Sequence, residues 1–238
     1  MTRPRLLDLS ACAGIGGDGY AAAGFDVTAV DVDRAALRHN PHNPIHADAL
    51  EVLRDRAFLS TFDLIHASPP CQAYSITKHT HDAEHPDLLG PVLDLLSDQP
   101  VPWIVENVPG APMPGALTLC GSEFGLRTWD HRSQRQVALK RHRLFLASFD
   151  LWGAGGCTCA EDRARQRIAG VYGGSTRDHV SARTERKGGY AVNDRNTAAK
   201  LLGVTREEPP PLKYLQQCIP PAYTAFLGDQ ARSDAVTA

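Results

Sequence analysis

Short apolar runs alternate with longer mixed segments through the first half of the chain, which predicts a repeating strand–helix order. Arg5–Leu9 reads as a strand, followed by a turn carrying Gly14, Gly16, Gly17 and Gly19 and a small-residue helix over Tyr20–Ala23. Asp26–Val32 is a second strand, and Arg34–His39 a helix that Asn40-Pro41 stops. Ile45–Ala47 and Phe62–Ala67 are the third and fourth strands, with a helix from Ala49 to Ala57 between them. Pro86 opens a helix over Asp87–Leu96, Trp103–Val105 forms a fifth strand, and Arg143–Ala147 is another. This order predicts an α/β fold with a doubly wound, Rossmann-like parallel sheet that binds ligands at the carboxyl ends of its strands.

Two stretches break the pattern. Gln72–Pro86 is rich in Thr, His and Ser without a packing period, so it reads as a long exposed loop. Residues from Asp150 to Arg195 carry many Gly and Arg and few apolar side chains, as a small irregular insert would. The expected division is therefore 1–149 for the sheet, 150–194 for the insert, and 195–238 for returning helices. Those helices read as Thr197–Leu202 and Ala222–Leu227, separated by Pro209-Pro210-Pro211.

Composition narrows the classes. The chain has 238 residues, 42% hydrophobic and 22% charged, enough to bury one ordinary globular core. No apolar run approaches the ~20 residues of a membrane span, and the first residues do not form a signal peptide. Six scattered cysteines then point to reduced thiols in a cytoplasmic protein without a membrane partner. The net charge of −2 hides an asymmetry, because 127–195 holds 14 basic and 7 acidic residues on an otherwise acidic chain. A basic third suits one face turned toward a polyanion, and equally a solvated arginine-rich loop.

The strand ends carry the candidate chemistry. A glycine-rich strand-to-helix turn lets main-chain N–H groups approach a ligand. Asp31 closes the second strand where an acid would accept from a ribose, and Asp48 follows the third where it would take an adenine amino group. Together they indicate an adenosine-containing cofactor. Cys71 lies just past the fourth strand in Ser68-Pro69-Pro70-Cys71-Gln72, at the start of the polar loop, accessible as a nucleophilic thiol. Glu106-Asn107-Val108 ends the next strand, where a half-buried carboxyl could protonate a ring nitrogen. Arg141-His142-Arg143 opens the following strand, and alternation would send both arginines to one face, toward a carbonyl oxygen or phosphates. Cys157-Thr158-Cys159 lacks a second pair at ligand spacing, so no metal site is expected.

Taken in order, the glycine turn, Asp31, Asp48, Pro70-Cys71-Gln72, Glu106-Asn107-Val108 and Arg141-His142-Arg143 resemble the successive motifs of the DNA cytosine-5 methyltransferases. Arg195–Gly203 is similar to that family's late helix motif and Leu215–Tyr223 to its closing motif, so the resemblance spans nearly everything outside Asp150–Asn193. The chain departs from the pattern at Ser10 and Cys12, where the family has an aromatic and a glycine. It also departs at Leu139, before the arginine pair, and at Gln216-Gln217, where a glycine-asparagine pair is usual. These differences suggest a short, divergent, phage-type member.

The resemblance implies an S-adenosylmethionine-dependent methyltransferase fold with a small target-recognition insert. It implies base flipping, Cys71 attacking C6 of cytosine, Glu106 at N3, and Arg143 backed by Arg141 on the O2 side. S-adenosylmethionine would be held by Asp8, Ser10, Gly14, Asp31, Val32, Asp48, Ala49, Pro70 and Gln217. Double-stranded DNA would be the partner of a monomeric enzyme, through Gln72, Arg163, Arg165, Arg167 and Arg183. Three other readings stay open: the same chemistry on tRNA or other RNA, a nucleic-acid binder that no longer catalyses, and a nicotinamide-dependent oxidoreductase. The last rests on the glycine turn alone and leaves Cys71, Glu106 and the arginine pair without a role.

Overall fold

The computed structural model describes residues 2–71, 74, 87–131, 134–165, 168–172 and 190–237. Its main sheet has seven strands. Five are parallel: β1 (Arg5–Leu9), β2 (Asp26–Asp31), β3 (Pro44–His46), β4 (Leu64–Ala67) and β5 (Trp103–Asn107). Beyond them lie β6 (Leu117–Leu119) and β9 (Arg143–Ala147), and the spatial order is β3-β2-β1-β4-β5-β9-β6. β9 runs antiparallel to both neighbours. The order reverses between β1 and β4, which puts the ligand crevice of a doubly wound sheet above their carboxyl ends.

Burial on both faces explains the apolar runs. Leu6, Val27, Leu64, Ile104 and Phe145 turn to one face, where they pack with Tyr20 of α1 (Ile15–Ala22) and with Tyr223 and Leu227 of α9 (Pro221–Thr237). Leu7, Leu9, Val30, Ile65 and Val105 turn to the other. There they meet Leu53 of α3 (Ala49–Arg54), Leu59 of α4 (Arg56–Leu59), and Leu89, Val92 and Leu96 of α5 (Leu89–Ser97). This period-two split is what a strand between two helical layers requires. α1 and α9 approach so closely that a Cβ at Gly19 would overlap the Pro221 carbonyl oxygen and the Thr224 hydroxyl. α2 (Arg34–Leu37) is a single short turn capped by Asp33.

A second sheet stands beside the first, in the order β11-β10-β8-β7. β7 (Arg127–Asp130) and β8 (Arg135–Leu139) form an antiparallel pair, and β10 (Ile168–Gly170) and β11 (Tyr190–Ala191) add to it in parallel. Val137, Leu139, Ala169, Val171 and Val192 make its core with Leu201 and Leu202 of α7 (Arg195–Leu202). The insert is thus less irregular than its composition suggested, and its sheet draws half its strands from before residue 150. β6, β7, β10 and β11 run two to four residues, too short to show a period, and β8 mixes polar with apolar positions, so none of the five is legible in the sequence. α6 (Cys159–Ala164) and α8 (Leu212–Leu215) complete the described elements.

Candidate active site

Register levels the strand ends. Leu9 pairs with Val30 and with Ala67, and Ala67 with Val105, so Ser10, Asp31, Ser68 and Glu106 emerge side by side at the carboxyl edge. The Ser68 hydroxyl donates to the Ser10 carbonyl at 3.3 Å, tying β1's exit to β4's.

On the β1–β2 side the chain turns sharply. Ser10 (φ 62°) and Cys12 (φ 50°) occupy the left-handed region that favours glycine, ahead of Gly14 at φ 73°. Asp31 holds this backbone: its carboxylate accepts from the Cys12 N–H and the Asp33 N–H, each at 2.8 Å. Both oxygens keep a further lone pair for ribose hydroxyls. Val32, the next residue, is 62% exposed, an apolar surface that a flat base would cover. Asp48 is first of all the N-cap of α3, one of its oxygens accepting from the Leu50 and Glu51 N–H groups, which leaves the other for an exocyclic amine. Ala49 and Pro70 are half-buried along this edge, and Gln217 is exposed in the closing segment.

Asp8 departs from the cofactor-contact reading. It shares the face of Leu6, only 3% exposed, inside the sheet rather than on its rim. Burial, with Asp31's charge nearby, pushes its carboxyl up to about 8. Its cross-strand neighbour His66 is also buried, held near 3 by desolvation, and its Nδ1 lies 2.8 Å from the Tyr20 hydroxyl.

Arg206 was missed by sequence reasoning. Its guanidinium grips Asp18 through two bonds of 2.7 and 2.8 Å and donates to the carbonyls of Ala13, Gly14 and His39. His42 adds a third contact to Asp18 at 2.8 Å. Burial raises the Asp18 pKa, but the His42 and Arg206 bonds outweigh it and hold the carboxyl below its usual value. The glycine turn is thus braced from residue 206, with no local signal to announce it.

On the other side, Cys71, Glu106 and Arg143 converge. Asn107 donates from its amide to the Pro69 carbonyl at 3.2 Å, fixing the β4 exit against β5. Glu106 is 6% exposed, and burial raises its pKa against the lowering pull of Arg143 and Arg141. Arg143 Nε lies 2.8 Å from Glu106 Oε1, an ion pair whose alignment does not complete a hydrogen bond, so Oε1 keeps its hydrogen-bonding capacity. Burial and the Glu106 charge raise the Cys71 thiol, and Arg143 lowers it. The resting residue is therefore a thiol beside an acid and a cation.

Arg141 and Arg143 do not share a job. Arg141 is fully buried and donates to the carbonyls of Cys218 (2.7 and 3.0 Å), Val171 (2.6 Å) and Gln216 (2.9 Å), while its own carbonyl accepts from the Tyr223 hydroxyl at 2.7 Å. Its donors are spent on main chain, so it is a positioning residue that clasps the second sheet and the closing segment to the arginine turn. Only Arg143 faces the Cys71–Glu106 pair.

Of the expected nucleic-acid contacts, Gln72, Arg167 and Arg183 lie outside the described residues. Arg163 sits in the last turn of α6 and Arg165 caps it, both exposed. Two residues apart at the end of a helix, their side chains point to different sides. Cys157 and Cys159 do find a second pair, Cys120 and His142, brought in from distant segments.

No family model and no curated protein matches the chain. Solved structures do. A Dnmt2 methyltransferase from Schizosaccharomyces pombe superposes with a TM-score of 0.61 at 14% identity, covering 98% of this chain and 99% of that one. An Escherichia coli prophage protein described as a DNA modification methyltransferase gives 0.61 at 14% identity, covering 99% and 100%. The fold is that of the S-adenosylmethionine-dependent methyltransferases. The Entamoeba histolytica methyltransferase EhMeth shares this methyltransferase fold at a TM-score of 0.59 and 12% identity, over 99% of both chains. No described helix is long and apolar enough to cross a membrane.

Proposed function

We propose that the chain transfers a methyl group from S-adenosylmethionine to C5 of cytosine in double-stranded DNA. The observation that carries this reading is the convergence of Cys71, Glu106 and Arg143 beside the Asp31–Val32 edge, at the switch point of a methyltransferase fold. A nucleophilic sulfur, a buried acid and a cation around one crevice match the needs of a flat, electron-rich ring that must be attacked before it can be alkylated.

Each residue has a task. The target base is flipped out of the stack, because neither C5 nor C6 is reachable within a duplex. Glu106, its pKa raised by burial, can deliver a proton to N3 and draw electrons from the ring. Arg143 holds O2. Cys71 loses its proton and its sulfur bonds to C6, leaving C5 nucleophilic. When bound, S-adenosylmethionine supplies the electrophilic methyl group, and the Asp31 carboxylate, Val32 and Asp48 are placed to hold its ribose and adenine. Solvent then takes the C5 proton, the C5–C6 double bond re-forms as Cys71 leaves C6 as a thiolate, and N3 returns its proton to Glu106. Arg163 and Arg165 on α6 are placed to meet phosphates or base edges.

Bisulfite sequencing of plasmid DNA and of total RNA from cells expressing the chain tests this, with Cys71→Ser alongside. Protected cytosines in DNA only with Cys71 are expected, and their context reads out the recognition sequence. Protection in RNA alone moves the same chemistry to another substrate. Turnover by Cys71→Ser eliminates the covalent route.

A further inference from the structure

We infer that Cys120, His142, Cys157 and Cys159 form a closed zinc site that staples the insert to the arginine turn. Their four ligand atoms, three Sγ and one imidazole nitrogen, all lie within 4.8 Å of one another. A tetrahedral zinc with Zn–S of about 2.3 Å and Zn–N of about 2.0 Å has ligand–ligand edges of roughly 3.5–3.8 Å. Two of the edges are 3.2 Å between the sulfurs of Cys120 and Cys159 and 3.3 Å between His142 Nε2 and Cys157 Sγ. Those two edges must open by a few tenths of an ångström, and the longest, at up to 4.8 Å, must close by up to about 1 Å for the four to centre an ion. Three thiolates and an imidazole are a soft donor set that selects zinc over calcium or magnesium. Four protein ligands leave no open position, so the ion would be structural and would take no part in methyl transfer.

The surroundings are arranged as an outer shell. The Cys159 N–H and the Ser122 hydroxyl each donate to Cys157 Sγ at 3.4 Å, the kind of bond that steadies a metal thiolate. Ser122 also accepts from the Thr158 N–H at 3.1 Å. Asp162 locks the following helix, accepting from Thr158 at 2.9 Å and pairing with Arg127 at 3.1 Å.

The fold needs such a bond here. Three segments meet at the cluster: the turn after β6, the turn before β9, and the start of α6. The apolar packing at that junction is Cys120, Cys159 and Ile168, so two of its three members are the ligands themselves. So small a cluster adds little to hold the start of α6 against the arginine turn, and metal–thiolate bonds are the usual substitute. His142 stands between Arg141 and Arg143, so the ion would also set the turn that aims Arg143 at Glu106. α6 starts at Cys159 and bears Arg163, so the same ion would join the basic helix to the reacting end of the site.

Metal analysis of the full chain, purified without chelators from zinc-supplemented cells, is the test. About one zinc per chain is expected, released by a mercurial reagent, and retained by Cys71→Ser. Cys157→Ser should lose at least tenfold of that zinc. Cobalt added to metal-stripped wild-type chain should give the ligand-field bands of a tetrahedral site together with thiolate charge transfer, a readout that needs no variant to fold. A folded chain without zinc and without cobalt bands overturns the inference. So does a Cys120–Cys159 disulfide found by non-reducing peptide mapping of the protein purified under exclusion of oxygen.

Discussion

The acids of the cofactor edge and the buried arginine on the other side of the crevice make opposite kinds of bond. At the cofactor edge acids accept from main-chain N–H groups nearby: Asp31 from Asp33 and Cys12, Asp48 from Leu50 and Glu51. On the arginine side a buried guanidinium donates to carbonyls contributed by Val171, Gln216 and Cys218, far along the chain. An acid two residues before its partner leaves a mark in the sequence. A carbonyl leaves none, because every residue offers one.

The sharpest break of this comparison is at Arg141. Arg141→Ala should cost about 3–5 kcal/mol in denaturant unfolding, since it strands several buried carbonyl oxygens at roughly 1–3 kcal/mol each. Arg143→Ala should change stability by no more than about 1 kcal/mol while removing most turnover. Equal stability losses in the two variants would erase the division between clasp and reactant.

Glu106→Gln comes next, with turnover expected to fall at least about a hundredfold, in the range of a lost general acid. In the free protein, peptide-mapped alkylation of Cys71 should then proceed at lower pH, because a charge that raises the thiol has gone. Arg143→Gln should move that alkylation to higher pH. Shifts in the same direction for both variants would show that Cys71 does not sit between them.

Arg206→Ala should weaken S-adenosylmethionine binding about tenfold, some 1.4 kcal/mol, by releasing the glycine turn. Calorimetry would read it, and unchanged affinity would relegate the brace to stability alone.

The last effect is a slope. Asp8 has a folded pKa of about 8 against an ordinary 3.8, so between those values the folded state holds the proton more tightly than the unfolded one. Stability is therefore greatest at the acid end of the window and falls as pH rises toward 8, by at most about 1.4 kcal/mol per pH unit. Asp8→Asn should flatten that fall, as measured by unfolding at several pH values.

Much of the parallel half was legible. Arg5–Leu9, Asp26–Asp31 and the strands before Ser68 and Glu106 carry buried runs bounded by turn residues, and their level ends set Asp31, Ser68 and Glu106 along one edge, with Glu106 near Cys71. The distal half was legible only at β9. β6, β7 and β8 are short and mix polar with apolar residues, and β10 has just three buried positions. The roles of Arg141 and Arg206 depend on partners that no spacing encodes. Cys157 and Cys159 looked incomplete for the same reason: Cys120 and His142 join them through tertiary packing of segments that share no motif.

The brace on the glycine turn has a consequence for synthesis. Arg206 and the Thr224 hydroxyl, which donates to the Gly16 carbonyl at 2.6 Å, are made 192 and 208 residues after the turn carbonyls that they hold. A nascent chain carries an open, unfinished turn until those distant residues have been made. The brace is complete only once α9 has docked, so a polypeptide cut short upstream of it keeps the turn open.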